Sequence, residues 1–260
     1  MPNPGAEAMQ TTMIAPLRRH WLVWVCPEFH AAMAEQIADA TLHEIASNYF
    51  SAGWPLVMCS QGGGSAVPYV PVVPVVPIAA RKSVMLGMPL PPRQGKHRLA
   101  FFVPVAAIIR VAPPLLLADV VPKLTNNWYG HLPQLLSAAS EINLELRLFG
   151  SLAMEILTGD HYLTPQSDID LLWQPLSLKQ LDMAMEILSA WQTRCGVRVD
   201  GEIFFGNDSA VAWREWQTAQ QTKGRVLVKS LGKPRLCFTK ELLAQLPPAT
   251  VCSTESVSCT

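Results

Sequence analysis

The chain has 260 residues and a mass of 28.5 kDa; half of it is apolar, 15% is charged, and 20 basic residues cancel 20 acidic ones. That length allows one to two domains with a sizeable core, and that composition excludes intrinsic disorder, which requires low hydrophobicity and high net charge. The zero net charge argues against nucleic-acid or acidic-membrane coating, where a basic surplus is expected.

Residues 1–16 carry Pro2, Pro4, Gly5 and Pro16 without periodicity and read as a flexible N-terminus. Residues 20–26, rich in β-formers and stopped by Pro27, predict a first strand. Met33, Ile37, Ala40 and Ile45 recur at helical spacing and predict an amphipathic helix over 29–50. A second strand is predicted at 54–59, followed by a turn at Gly62, Gly63, Gly64 and Ser65. Prolines 68, 71, 74 and 77 repeat every three residues, and the Val and Ile between them favour an edge strand or connector over a polyproline II ligand. Short strands are predicted at 83–89 and 98–105. The longest apolar stretch, 99–122, contains Arg110, Asp119, Pro104, Pro113 and Pro114, so it predicts buried elements and not a membrane span. The apolar run after Arg18 and Arg19 is too short for a secretory core. Six scattered cysteines without a C-x-x-C pair read as reduced thiols, and a cytoplasmic location is expected.

Pro113-Pro114 is the strongest candidate boundary. It divides a small α/β domain, 17–112, from a second domain, 113–246, with a Ser/Thr-rich disordered tail over 247–260. In the second domain the pattern predicts a helix at 128–140, a strand at 144–149 and a short helix at 152–157. A loop at 158–166 then leads to a strand at 169–173, a helix at 178–191 and a strand at 197–205. A helix at 211–220 and a hairpin of 226–229 with 235–238 complete it. Strands alternating with helices predict an α/β or α+β domain of about 130 residues.

The chemistry concentrates in Leu148-Phe149-Gly150-Ser151 and Ser167-Asp168-Ile169-Asp170-Leu171-Leu172. On a strand Asp168 and Asp170 share a face about 7 Å apart, while Ile169 and Leu171 enter the core. Such a carboxylate pair suits a hard divalent cation, and magnesium takes substrate phosphates as its remaining ligands. Gly150 lets backbone approach a phosphate, the following helix start favours an anion, and Ser151 adds a hydroxyl. Roughly 1.5 acidic-x-acidic pairs are expected by chance, so the pair alone decides nothing. Its context does: strand, Gly-Ser, helix, loop, then a strand carrying the pair.

That order resembles the nucleotidyltransferase superfamily of the DNA polymerase β type. The string Arg147-Leu-Phe-Gly-Ser-Leu-Ala, with Leu157-Thr-Gly159, Tyr162-Leu163, Asp200-Gly-Glu-Ile and Ala212-Trp-Arg-Glu215, narrows the likeness. So do Val226-Leu-Val-Lys229, Arg19-His20 and the Pro-Val-Val-Pro run with Arg81. Together they resemble the malonate decarboxylase holo-acyl-carrier-protein synthases, the phosphoribosyl-dephospho-CoA transferases of MdcG type. The resemblance implies an α+β chain: an N-terminal α/β domain that binds donor or carrier, then a polymerase-β-like catalytic domain with a mixed sheet flanked by helices. It implies transfer of a prosthetic group from triphosphoribosyl-dephospho-CoA to a serine of the acyl-carrier subunit of malonate decarboxylase, with release of pyrophosphate. Asp168 and Asp170 would hold magnesium, in two ions, and a third acid, Asp200 or Glu202, would join them. Asp200 is favoured because apolar residues precede it on a strand. Gly150 and Ser151 would seat the triphosphate, and Arg81, Lys82, Arg214 and Lys229 would supply further positive charge. The 17 positions between Ser151 and Asp168 exceed the usual spacing and imply an inserted loop.

Two other readings are kept: the same chemistry on another acceptor, such as the citrate lyase carrier protein or a small molecule, and a catalytically silent docking module. Retention of the acids argues against the second. The six histidines show no ligand spacing and read as surface or packing residues.

Overall fold

The computed structural model describes residues 17–61, 69–71, 83–95, 98–124, 130–222 and 224–247. The expected flexible N-terminus, the 248–260 portion of the tail, most of the proline repeat, and Arg81 and Lys82 lie outside the described residues.

The first sheet contains β1 (Leu22–Val25), β2 (Leu56–Met58), β3 (Tyr69–Pro71), β4 (Ser83–Pro89), β5 (Arg98–Pro104) and β6 (Ile108–Ala112), in the order β3-β5-β4-β2-β1-β6. Only the β3–β5 pairing is parallel. Val23, Leu86 and Phe101 are fully buried, and Phe101 meets Phe50 edge-on at 5.6 Å. Phe50 belongs to α2 (Ala40–Ser51), which follows the one-and-a-half-turn α1 (His30–Ala34). The single helix expected over 29–50 is therefore two. Asp39 accepts a hydrogen bond from the Leu42 amide at 2.9 Å and restarts the helix as its N-cap.

Pro113 and Pro114 lie where the chain leaves this sheet for the second, which has the order β11-β10-β9-β8-β7. Its strands are β7 (Leu115–Leu116), β8 (Leu146–Phe149), β9 (Ile169–Trp173), β10 (Val199–Phe204) and β11 (Ala210–Ala212). It is mixed: β9 and β10 run parallel, the other neighbours antiparallel. Between them come α3 (Leu117–Val120), α4 (Leu132–Glu141), α5 (Gly150–Thr158) and α6 (Leu178–Cys195). The unit closes with α7 (Trp213–Thr222), the hairpin β12 (Arg225–Val228) and β13 (Arg235–Phe238), and α8 (Thr239–Leu243). Residues 211 and 212, expected to open a helix, instead pair with β10 as part of β11, and α7 starts behind them.

Alternation fixes the two faces of this sheet. Leu148, Ile169, Leu171, Val199 and Ile203 are buried in one cluster with Leu135 of α4, Leu188 of α6 and Trp216 of α7. Each such side chain contributes about 1.5–3 kcal/mol relative to exposure. Arg147, Phe149, Asp170, Leu172, Asp200 and Glu202 occupy the alternate positions on the other face. The chain is thus α+β, with two cores that touch: Met154 and Tyr162 of the second unit are buried in the cluster of the first. Arg93 also pairs with Asp160 at 2.7 Å across that junction.

Cys26, Cys195 and Cys237 are free thiols. Among the described residues no helix is long and apolar enough to cross a membrane.

Candidate active site

The site forms where β8 ends. Phe149 sits opposite Asp170 in the antiparallel β8–β9 register, and Gly150 turns into the left-handed region at φ +67°. A β-carbon at position 150 would lie 1.9 Å from Asp170 Oδ2. Only glycine admits both that dihedral and the carboxylate resting on it. Ser151 follows, half-buried on the first turn of α5, whose N-terminal amides favour an anion.

Across the parallel β9–β10 pairing, Asp170 is in register with Asp200. Gly201 lets the two strands close at that point: at φ +150° its missing β-carbon would fall 2.0 Å from the Leu171 carbonyl oxygen. The Gly201 amide donates to Asp200 Oδ1 at 2.8 Å and fixes that carboxylate. Asp168 stands just before β9, more exposed, with Arg198 Nε 3.4 Å away. Burial, then the charges of Asp200 and Asp168, push the Asp170 carboxyl up to about 7.

Glu202, two residues beyond Asp200 on the same face, is nearly fully buried. Arg19 grips it with two bonds of 3.0 and 3.2 Å, His20 Nε2 is 3.0 Å from Oε2, and Lys229 Nζ is 3.0 Å from Oε1. Burial alone would favour the neutral acid, but these neighbours outweigh it and hold Glu202 well below the usual carboxylate range. His20 is itself lowered by burial, with Arg19 and Arg98 opposing its charge and Glu202 favouring it. Its ring stacks on Phe149 with centroids 3.9 Å apart, and its backbone takes φ +67°.

The structure therefore brings together Gly150, Ser151, Asp168, Asp170 and Asp200, and places Glu202 in a cation clamp beside them. Lys229 is bonded to Glu202. Arg214 points elsewhere: its guanidinium bonds Gln192 and the Val199 carbonyl and lies over the Trp213 ring. His20, expected to be a surface or packing residue, is instead part of the site wall. Its signal in the sequence is only its place beside Arg19, ahead of the first strand. Arg98, which opens β5, bears on both Asp170 and His20 electrostatically, a site role that no sequence motif assigns to it.

Asp168, Asp170 and Asp200 carry oxygen donors of the type a hard divalent cation takes, and Asp170 is the one pushed toward protonation. Among the described residues no group of three or more His, Cys, Asp or Glu side chains is placed to hold a metal ion by itself. Substrate oxygens and water would have to complete the shell.

Residues 116–240 match the family model of the Phosphoribosyl-dephospho-CoA transferase MdcG C-terminal domain, and residues 70–114 match that of the MdcG N-terminal domain. The chain is 38% identical over 213 residues to a phosphoribosyl-dephospho-CoA transferase of Xanthomonas euvesicatoria, spanning 82% of this chain and 90% of the relative. It is 31% identical over 216 residues to a protein of the same name from Bradyrhizobium diazoefficiens, covering 83% and 88% of the two chains. No solved structure matches the chain. With both family domains matched in order and relatives aligned over nearly their whole length, the chain belongs to the MdcG family of phosphoribosyl-dephospho-CoA transferases.

Proposed function

We propose that this transferase moves the phosphoribosyl-dephospho-CoA group from triphosphoribosyl-dephospho-CoA onto a serine of the apo acyl-carrier subunit of malonate decarboxylase. The serine oxygen bonds to the α-phosphorus, the bond from that phosphorus to the bridging oxygen breaks, and pyrophosphate leaves. Positioning and charge stabilisation around an in-line displacement are the whole task of the protein.

The observation that supports this reading most is the close approach of Asp170 to the Gly150 bend, which puts the backbone of a helix start and acidic side chains at one point. Asp168 and Asp170 would hold magnesium, and Asp200 would complete the oxygen set. Bound there, the cation supplies charge neutralisation at the pyrophosphate and acidifies the attacking hydroxyl. Gly150 and Ser151 receive the triphosphate through the α5 amides and the Ser151 hydroxyl. Arg98, at the mouth of the site, adds positive charge from the N-terminal unit. The serine's proton leaves to Asp200 or to water.

The test is the intact mass of apo carrier protein after incubation with enzyme, donor and magnesium. The expected result is a gain equal to one phosphoribosyl-dephospho-CoA group. An unchanged carrier, with the donor nonetheless consumed, would favour another acceptor.

A further inference from the structure

The open face of the catalytic sheet continues past the acids. Beyond Asp200 come Glu202 and Phe204, and beyond Asp170 comes Leu172, each pair of residues advancing about 7 Å along its strand. There a cavity of about 340 Å³ opens, roofed by the N-terminal segment through Arg18 and Trp21 and floored by Leu172 and Phe204. Pro113, Pro114 and Leu176 complete its apolar wall, and the Glu202 clamp forms the wall shared with the acidic end. Its size suits a small ligand bound mainly by apolar contact and fixed by few polar groups.

The charges say which. Arg19 and Lys229 are spent on Glu202, and Arg147 is held by Glu145 and the Pro114 carbonyl. Arg18 has no carboxylate partner among the described residues; its guanidinium lies 4.7 Å from the Phe204 ring centroid and 5.7 Å from that of Trp21. An apolar floor beneath an uncompensated guanidinium matches a ligand that joins an aromatic ring to phosphate.

Resting on the transferase reading above, we propose that this cavity holds the adenosine 5′-phosphate part of the donor. The adenine lies against Leu172, Phe204 and Trp21, and Arg18 meets the phosphate. The donor's name fixes the order of its parts: the reacting phosphate is joined through a ribosyl unit to dephospho-CoA. A single sugar spans the step of roughly 7 Å from Asp200 to the Glu202 wall. The α-phosphorus can then sit at the acids while the nucleoside fills the cavity.

The experiment is titration with dephospho-CoA alone, which lacks the triphosphate and needs no metal, followed by tryptophan fluorescence and calorimetry. Wild-type protein should bind it, AMP should compete, and pantetheine should not. Arg18→Ala in the roof and Leu176→Trp in the wall should each weaken binding at least tenfold, while binding of inorganic tripolyphosphate with magnesium stays unchanged. Unaltered dephospho-CoA affinity in both variants, or competition by pantetheine but not AMP, would overturn the cavity assignment. Binding with these properties in a protein that never modifies the carrier would leave the cavity standing and refute the acceptor.

Discussion

The carboxylate of Asp170 occupies the space that a β-carbon at Gly150 would fill. Twenty residues of sequence separate the two, yet the β8–β9 register makes them one structural unit: a glycine bend that can hold phosphate backbone-first, with an acid pressed against it.

Gly150→Ala should break that unit. The new methyl would have to displace Asp170, and the left-handed φ adds about 1–2 kcal/mol of backbone strain. Transfer should fall about a hundredfold, since misplacement of about 1 Å is enough for that loss. Gly159→Ala is the control: φ is +75° there, but nothing lies within 4 Å. It should lower the melting temperature by a similar amount while leaving the transfer rate unchanged.

Asp170 also gives the metal-free protein a distinctive pH response. Its folded carboxyl sits at about 7 against 3.8 in the unfolded chain, so the folded state holds the proton more tightly. Stability from this group is complete below pH 4 and is lost as pH rises through 7, by something on the order of 4 kcal/mol. Asp170→Asn should flatten that fall, and melts in EDTA from pH 5 to 8 would measure it. An equal slope in variant and wild type would count against the burial and repulsion described.

Glu202 runs the opposite way. Its folded value is depressed, so its contribution is present above the ordinary value of 4.5 and is lost as pH falls below it. Glu202→Gln leaves Arg19 and Lys229 without their shared counter-charge and should cost about 3 kcal/mol in urea unfolding at pH 7. Because the clamp joins the N-terminal segment to β10, the loss should appear with a looser junction, read as faster proteolysis after Arg18 or Arg19.

Arg98 predicts a kinetic change without a fold change. It is exposed and in no ion pair among the described residues. Arg98→Ala should raise the KM for the donor about tenfold, the scale of one charge-assisted contact, with kcat less affected. Salt should shrink the difference, as it does for exposed charges.

Much of the scaffold was legible because alternation is a local signal. Residues 83–89 and 169–173 were readable as strands, and β4 and β9 occupy those spans. Asp39 shows the limit of periodicity: a capping side chain splits what the apolar spacing joined. The acids and the Gly-Ser bend could be picked out because they lie on consecutive elements. The clamp could not. Arg19 and His20 meet Glu202 across 183 and 182 positions, and no local pattern encodes such a pairing. Arg214 shows a limit of composition: it is a basic residue near the site whose guanidinium bonds the Gln192 side chain and a backbone carbonyl.

The most direct measurement is the rate at which apo carrier gains mass in saturating donor and magnesium, compared between wild type and Asp170→Asn at equal folded concentration. A fall of a few orders of magnitude is expected in the variant, with its circular dichroism intact. Carrier modified by Asp170→Asn as fast as by wild type would contradict the acidic cluster as the centre of the reaction.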